Sequence, residues 1–434
     1  MATYCRNTRV SGKKSRTFFS IAASMLAACS FPNGTSPFDR FESGGGLYVT
    51  GDAIVPTHVT PGVQGSVTID AVLSASSVRN LDFVVIADAS AAMGLEQNCQ
   101  LPDGTMDIYC LEQPAIWNAG PDYFDPATLG AQAVSTQVLS AALITTRPFG
   151  TAATYPAGSW LCLMPPSILP HLVESKFAFT DRPADSSRIT ETTDQCAAQN
   201  GLSLYGAVTD SSELIQSGWD GVAIGDGVAG FGPADMMGVQ AFLAGIVAGN
   251  SQALVAGSMT HNASATEAVG SATELGEWRT SLWLQQPDSL GIFQAMQKGH
   301  SVVHSPGINY RAHVYDRDGR WLGTVGDHID TSNTDPIVRI VVESAQATAL
   351  HVLWIRPNGG TLESALVSRE EQSRTEAKSV CDDSCRIDVA FEVDLDPPVA
   401  MVGIVSDSKF WNSDPRSGVQ TQQEVAIANA IWFD

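Results

Sequence analysis

From Gly46 to about His300, short apolar runs alternate with stretches of mixed character. Leu81-Asp82-Phe83-Val84-Val85-Ile86-Ala87 is a near-continuous apolar run that ends at Asp88, the pattern of a strand buried on both faces of a parallel sheet. Asp220–Ile224 and Gln252–Ala256 repeat the type. Between these runs the spacing predicts helices over Val67–Arg79, Thr128–Ile144, Ser211–Ser217 and Ala234–Ala248. Strand–helix alternation of this kind predicts a parallel sheet or barrel covered by helices. The stretch Gly94–Tyr123 has two cysteines, several Pro and Gly and no period, and reads as a disulfide-tied loop.

After about His300 the pattern becomes all strand. Tyr310–Tyr315, Pro336–Glu343, Ala349–Ile355, Arg386–Val393 and Ala400–Val405 are short strands, with Asp316-Arg317-Asp318-Gly319 and Pro357-Asn358-Gly359-Gly360 as turns. The expected organisation is an α/β unit over 46–305 followed by a small all-β sandwich over 306–434.

The first 45 residues belong to neither. Arg6, Arg9, Lys13, Lys14 and Arg16 precede an apolar run from Phe18 to Ala28 that is too short to cross a bilayer as a helix. A basic segment, a brief apolar core and small residues before a cut site make a secretory signal. The cut site, Leu26-Ala27-Ala28-Cys29, resembles the bacterial lipobox, which implies removal of residues 1–28 and acylation of Cys29. An ordinary signal cut at Ala28 is the plainer alternative. Residues 29–45, rich in Gly, Pro, Ser and Asn, read as a flexible tether. Ser30 after the cysteine favours delivery to the outer membrane of the cell envelope.

Charge narrows the partners. The chain has 24 basic and 46 acidic residues, and the signal takes five basic residues and no acid, leaving 19 − 46 = −27. A surface so acidic repels nucleic-acid phosphates and anionic lipid headgroups. The partners left are the membrane, reached through the N-terminal lipid, and a protein or glycan ligand. Some of the tryptophans, among them Trp117, Trp160, Trp219, Trp278 and Trp283, would suit sugar stacking, although core packing is their ordinary use. Six cysteines follow Cys29, an even number that in an exported chain implies three disulfides. Neighbour pairing predicts Cys99–Cys110, Cys162–Cys196 and Cys381–Cys385. A zinc site at Cys381 and Cys385 is the weaker reading, since no second pair lies nearby.

The strand ends carry the chemistry, as they do in parallel α/β barrels. Gly51-Asp52-Ala53-Ile54-Val55-Pro56-Thr57 is similar to the opening motif of the PHP (polymerase and histidinol phosphatase) superfamily, G-D-L-H-x-H-T. Leu81–Ser90 is similar to its second motif, L-D-F-x-x-I-T-D-H-N, and Ala256-Gly257-Ser258-Met259-Thr260-His261 resembles G-G-S-D-x-H. Gly276–Thr280, Ala295–His300 and the tail Ala428–Trp432 resemble the closing segments of that family's exported, β-domain-bearing branch. The resemblance implies a distorted (β/α)7 PHP-like barrel followed by the β domain. It also implies a cluster of divalent zinc, manganese or iron ions that activates water for phosphoester or other ester hydrolysis.

The motifs are degenerate. Ile54 and Pro56 stand at the two histidines of the first, Ala89 at the histidine after Asp88, Ala223 at an expected acid and Met259 at the aspartate of the late motif. The expectation is therefore a pseudoenzyme with no catalytic residues and no metal, a binding or scaffold lipoprotein. Two alternatives stay open. The first is a divergent metal-dependent hydrolase holding one metal through the remnants Asp88, His261, His58 and His171. The second is a von Willebrand A-like adhesion domain, since Asp88-Ala89-Ser90-Ala91-Ala92-Met93 also resembles D-x-S-x-S-M, one ligand short. No G-x-S-x-G elbow is present, and the Gly-rich run 225–232 lacks the Lys-Ser/Thr of a phosphate loop.

Overall fold

The computed structural model describes residues 44–56, 69–89, 136–144, 160–166, 193–194, 196–206, 219–225, 231–258, 275–346, 348–360, 362–367, 376–381, 384–393, 395–406 and 425–434. All belong to one compact unit, Phe41–Asp434. The strands are β1 (Leu47–Val55), β2 (Phe83–Ala89), β3 (Gln137–Ile144), β4 (Trp160–Leu163), β5 (Leu202–Tyr205), β6 (Gly221–Ile224), β7 (Ala253–Ala256), β8 (Arg279–Leu284), β9 (Ser301–His304) and β10 (Ile308–Tyr315). They continue as β11 (Trp321–Thr324), β12 (His328–Ile329), β13 (Ile337–Ser344), β14 (Ala349–Ile355), β15 (Glu376–Lys378), β16 (Val380–Cys381), β17 (Cys385–Glu392), β18 (Val399–Ser406), β19 (Val425–Ala428) and β20 (Ile431–Phe433). The helices are α1 (Ile69–Val78), α2 (Pro233–Val247), α3 (Ser289–Gln297) and the short α4 (Leu362–Ala365).

The fold is mixed α/β, built on one large sheet with few helices among the described residues. Its hydrogen-bonded path runs β12-β20-β18-β19-β9-β8-β1-β2-β3-β4-β5-β6-β7, with β14 and β15 branching from β18. The parallel pairs are β1–β2, β2–β3, β5–β6, β6–β7 and, at the far edge, β12–β20. Against the expectation of a parallel sheet, β4 runs antiparallel to both β3 and β5, and β8 is antiparallel to β1 and β9. Among the described residues the ladder path ends at β7, so closure into a barrel is not seen there. Instead β7 is tied to β8 by one side chain: Thr280 Oγ1 accepts from Ala256 N at 2.7 Å and donates to Ala256 O at 2.9 Å.

The expected helix over Thr128–Ile144 is corrected, because residues 137–144 form β3. An Ala- and Leu-rich run satisfies a helix stripe and a doubly buried strand equally well, and lateral pairing of β3 to β2 and β4 decides between them. The helices expected over Val67–Arg79 and Ala234–Ala248 correspond to α1 and α2. The helix expected over Ser211–Ser217 and the loop Gly94–Tyr123 lie outside the described residues.

Two buried clusters show how the sheet is covered. Ala53, Ile54, Phe83, Leu139, Leu143, Leu163, Leu204, Ala223 and Val255 share an apolar interior with Ile292, Phe293 and Met296 of α3. In the C-terminal part, Tyr310, Val338, Val342 and Ile387 of the five-stranded sheet β11-β10-β13-β17-β16 meet Leu350, Val405 and Phe433 of the large sheet. That two-layered arrangement matches the alternating apolar pattern of β10 and β13. One layer is continuous with the N-terminal sheet through the β9–β19 pairing.

Two predicted disulfides are present, Cys162–Cys196 and Cys381–Cys385. The zinc reading of Cys381 and Cys385 is thereby overturned, since both sulfurs are used in the bond. Cys99 and Cys110 lie outside the described residues.

Candidate functional site

The strand ends bring three sequence motifs onto one carboxylate. Asp52, near the end of β1, is fully buried. Its Oδ1 accepts from the backbone N–H of Ile54 at 3.1 Å and of Ser258 at 3.0 Å. Its Oδ2 accepts from the backbone N–H of Gly276 at 2.9 Å and from the hydroxyl of Ser258. The first motif, the segment after β7 and the segment before β8 are thus joined at a point where their backbones share no ladder. Gly257 makes the approach possible, because a Cβ there would collide with the backbone of Ile54. Burial pushes the Asp52 carboxyl up to about 6, against the four donors, which favour the ionised form.

A second polar chain crosses the same sheet. Ser305 O can only accept, so His304 Nδ1 carries the proton and donates to it at 2.9 Å. In the neutral ring Nε2 then accepts from Ser281 Oγ at 2.8 Å, and Ser281 in turn accepts from Thr50 Oγ1 at 2.7 Å. Ser281 and His304 are both buried. Burial lowers His304 to about 4, assisted by nearby Arg279 and opposed by the bond to Ser305.

A depressed folded value means that the unfolded chain binds the proton first as pH falls. The stability contributed by neutral His304 is therefore complete above its unfolded value of 6.5 and is lost down to about 4. The expected loss is on the order of 3 kcal/mol. Asp52 has the opposite sign: its raised value gives stability that is complete below 3.8 and lost as pH rises through about 6. The two groups oppose each other across this window, so removing one leaves the other: relative to wild type, the urea midpoint of His304→Asn should rise as pH falls from 6.5 to about 4. An unchanged slope in that variant would refute the assignment.

The positions expected to bind metal in the PHP resemblance are apolar here and buried. Ile54 is 1% exposed and Ala223 3% exposed, and both lie in the same interior cluster. Pro56 is buried as well. None offers a donor atom, so these three positions do not fit a metal ion. Asp88 is the next-to-last residue of β2, its backbone opposite Ala142 of β3. The side chain of Asp88, like His58, His171 and His261, lies outside the described residues, as does Cys29. Among the described residues no three of His, Cys, Asp and Glu stand close enough together to hold a metal ion.

Sequence reasoning did not select Asp52, Ser258, Ser281 or His304 as site residues. The signal for Asp52 was an acid inside an otherwise apolar run, which requires buried donors. Ser281 and His304 gave none, because neither sits in a pattern that marks its partner.

No family model matches the sequence, and no curated protein does. In structure the chain is similar to a two-domain protein from Bacteroides vulgatus described as containing a predicted PHP-like metal-dependent phosphoesterase. The identity is 9%, the coverage 87% of this chain and 95% of the other, and the TM-score 0.40. It is also similar to PsfC from Pseudomonas syringae, at 11% identity over 58% of this chain and 89% of the other, TM-score 0.33. A third likeness is to a lesion-specific endonuclease from Pyrococcus furiosus, at 10% identity over 58% of this chain and 56% of the other, TM-score 0.34.

Proposed function

We propose that this chain is an exported lipoprotein, anchored through Cys29, whose PHP-like site has been rebuilt as apolar core, so that it serves as a binding or scaffold module. The observation that carries this reading is the burial of Ile54 and Ala223 in one apolar cluster with Leu143 and Leu163. A water-activating metal cluster needs imidazole and carboxylate ligands converging on an open position. Close-packed aliphatic side chains supply neither ligands nor room. The mature charge of −27 favours a protein or glycan ligand over nucleic acid. Delivery to the outer membrane follows from Ser30 and belongs to the same proposal.

The test is the metal content of the mature chain, purified without chelator. The expected result is far less than one equivalent of zinc, manganese or iron, with no hydrolysis of phosphoester or carboxylic ester substrates. Stoichiometric metal, whose removal by chelation abolishes ester hydrolysis, would overturn the reading in favour of a divergent hydrolase acting through Asp88 and the remnant histidines. Intact mass of the membrane-extracted protein checks the anchor: a diacylated chain beginning at Cys29 is expected, and an unmodified chain sinks it.

A further inference from the structure

The two disulfides sit in opposite surroundings. Cys162 and Cys196 are both fully buried. Met164 Sδ lies 3.4 Å from Cys162 Sγ, and a Cβ on Gly201 would stand 2.7 Å and 2.8 Å from the two sulfurs. Cys381 is exposed, its neighbour Val380 is 60% exposed, and only Cys385 is buried. A dissolved thiol therefore meets Cys381 at the surface, and meets Cys162–Cys196 only after the fold opens.

The exposed bond fastens a strap. Residues 376–381 leave one layer of the C-terminal sandwich and enter the other: β15 pairs with β14 of the large sheet, and β16 pairs with β17 of the five-stranded sheet. Between them, Ser379 is fixed to the segment just before β14. Its N–H donates to Thr348 O at 3.0 Å, and its hydroxyl accepts from Thr348 N at 2.9 Å. On the five-stranded side the strap has only Val380 opposite Arg386 and Cys381 opposite Cys385, the second pair bonded covalently. Two exposed ladder residues hold little by themselves, so the disulfide is the main fastening there.

The strap lies where the sandwich is thin. Val338 and Val342 of β13 are fully buried. Val389 and Phe391 of the neighbouring β17 are only half-buried, and so is Ala377 of the strap, which packs on the same interior. Beyond Arg386, β17 has no further strand on its outer edge among the described residues.

We propose that Cys381–Cys385 is a redox-operated clasp: a dithiol opens it in the folded protein and releases residues 376–381 from the five-stranded layer, while Cys162–Cys196 stays closed. A thiolate of the dithiol attacks the Cys381 sulfur and forms a mixed disulfide with it. The original S–S bond breaks, its electron pair leaves on Cys385, and that sulfur takes a proton from water. The dithiol's second sulfur, as thiolate, then displaces Cys381, which is protonated in turn. The dithiol ends as a disulfide and the two cysteines as thiols, a transfer of two electrons. The bond spans only four residues of sequence, so little chain entropy goes with it and the fold survives its opening.

The experiment treats the oxidised mature chain with dithiothreitol in the absence of denaturant. At intervals free thiols are blocked with iodoacetamide, and peptide masses report each cysteine. Cys381 and Cys385 are expected to be blocked at least tenfold faster than Cys162 and Cys196. In the chain reduced at Cys381 and Cys385, hydrogen exchange should be at least tenfold faster at residues 377–381 and 385–387, and unchanged in β1 and β2. It should slow again once oxidised glutathione restores the bond. The double variant Cys381→Ser with Cys385→Ser should exchange as the reduced chain does, with no reductant present. Equal blocking of the two cysteine pairs overturns the proposal. So does reduction that leaves exchange at residues 377–381 unchanged, or a change that reoxidation does not reverse. If the variant does not fold, the reduced wild-type chain carries the test alone, and fast exchange throughout that chain overturns the clasp as well.

Discussion

Asp52→Ala is expected to destabilise the chain by on the order of 4 kcal/mol or more, among the largest losses for any single side chain. The substitution strands the backbone N–H groups of Ile54, Ser258 and Gly276 without their acceptor, in a place that water does not reach. Each unsatisfied buried donor costs about 1–3 kcal/mol. Asp52→Asn, of nearly the same shape, is expected to fail too. An amide nitrogen placed at Oδ1 faces two backbone N–H donors; placed at Oδ2 it faces the Gly276 N–H and the Ser258 hydroxyl, which can turn to accept, so either orientation strands at least one buried donor. A loss of about 2–3 kcal/mol is expected for it. Urea unfolding of the purified mature chain measures both. A shift below about 1 kcal/mol in the alanine variant would show that the three segments hold together without Asp52.

Removing Cys162–Cys196 through the double variant Cys162→Ala with Cys196→Ala should cost nearly as much. The bond joins residues 34 apart in sequence, and loop-closure entropy assigns it about 3–4 kcal/mol. It is buried at both ends, so the variant also leaves a small cavity. Cys381–Cys385 spans only four residues and closes the β16–β17 hairpin. Its removal should cost about 2 kcal/mol. Equal losses, or a larger loss at the hairpin, would contradict the chain-entropy account.

Much of the framework was legible in the sequence. The run 81–87 could be read as a buried strand because Phe83–Ala87 are apolar without a break, and all five are buried in β2. The later β segments alternate, as strands with one covered face must, and β10, β13 and β14 show this in their burial. The strand β3 was not legible, because its apolar run carries no period that separates helix from strand. Nor was the reversed direction of β4, since a four-residue strand records nothing of its orientation. The pairing of cysteines by proximity along the chain succeeded at 162–196 and 381–385, where the elements are local neighbours.

The candidate site divides in the same way. The identities at Ile54, Pro56 and Ala223 are enough to say that these positions offer no metal ligand, because side-chain chemistry needs no coordinates. That Ile54 and Ala223 share one interior needed the fold. Asp52 lies in the first motif and Ser258 in the late one, but nothing local announces that a carboxylate at 52 will bind donors at 258 and 276. That link spans more than 200 residues.

By itself the sequence determined a basic, then apolar, then small-residue order in the segment that ends at Cys29. It also determined the acidic balance, the strand-rich character and the apolar identities at Ile54, Pro56 and Ala223, since each depends on composition or short-range order. Tertiary structure alone decided which groups meet: Asp52 with three distant donors, and His304 with Ser281. The physical reason is that hydrogen bonds and close contacts act over a few ångströms in space. The order of residues sets that separation only through the complete path of the chain.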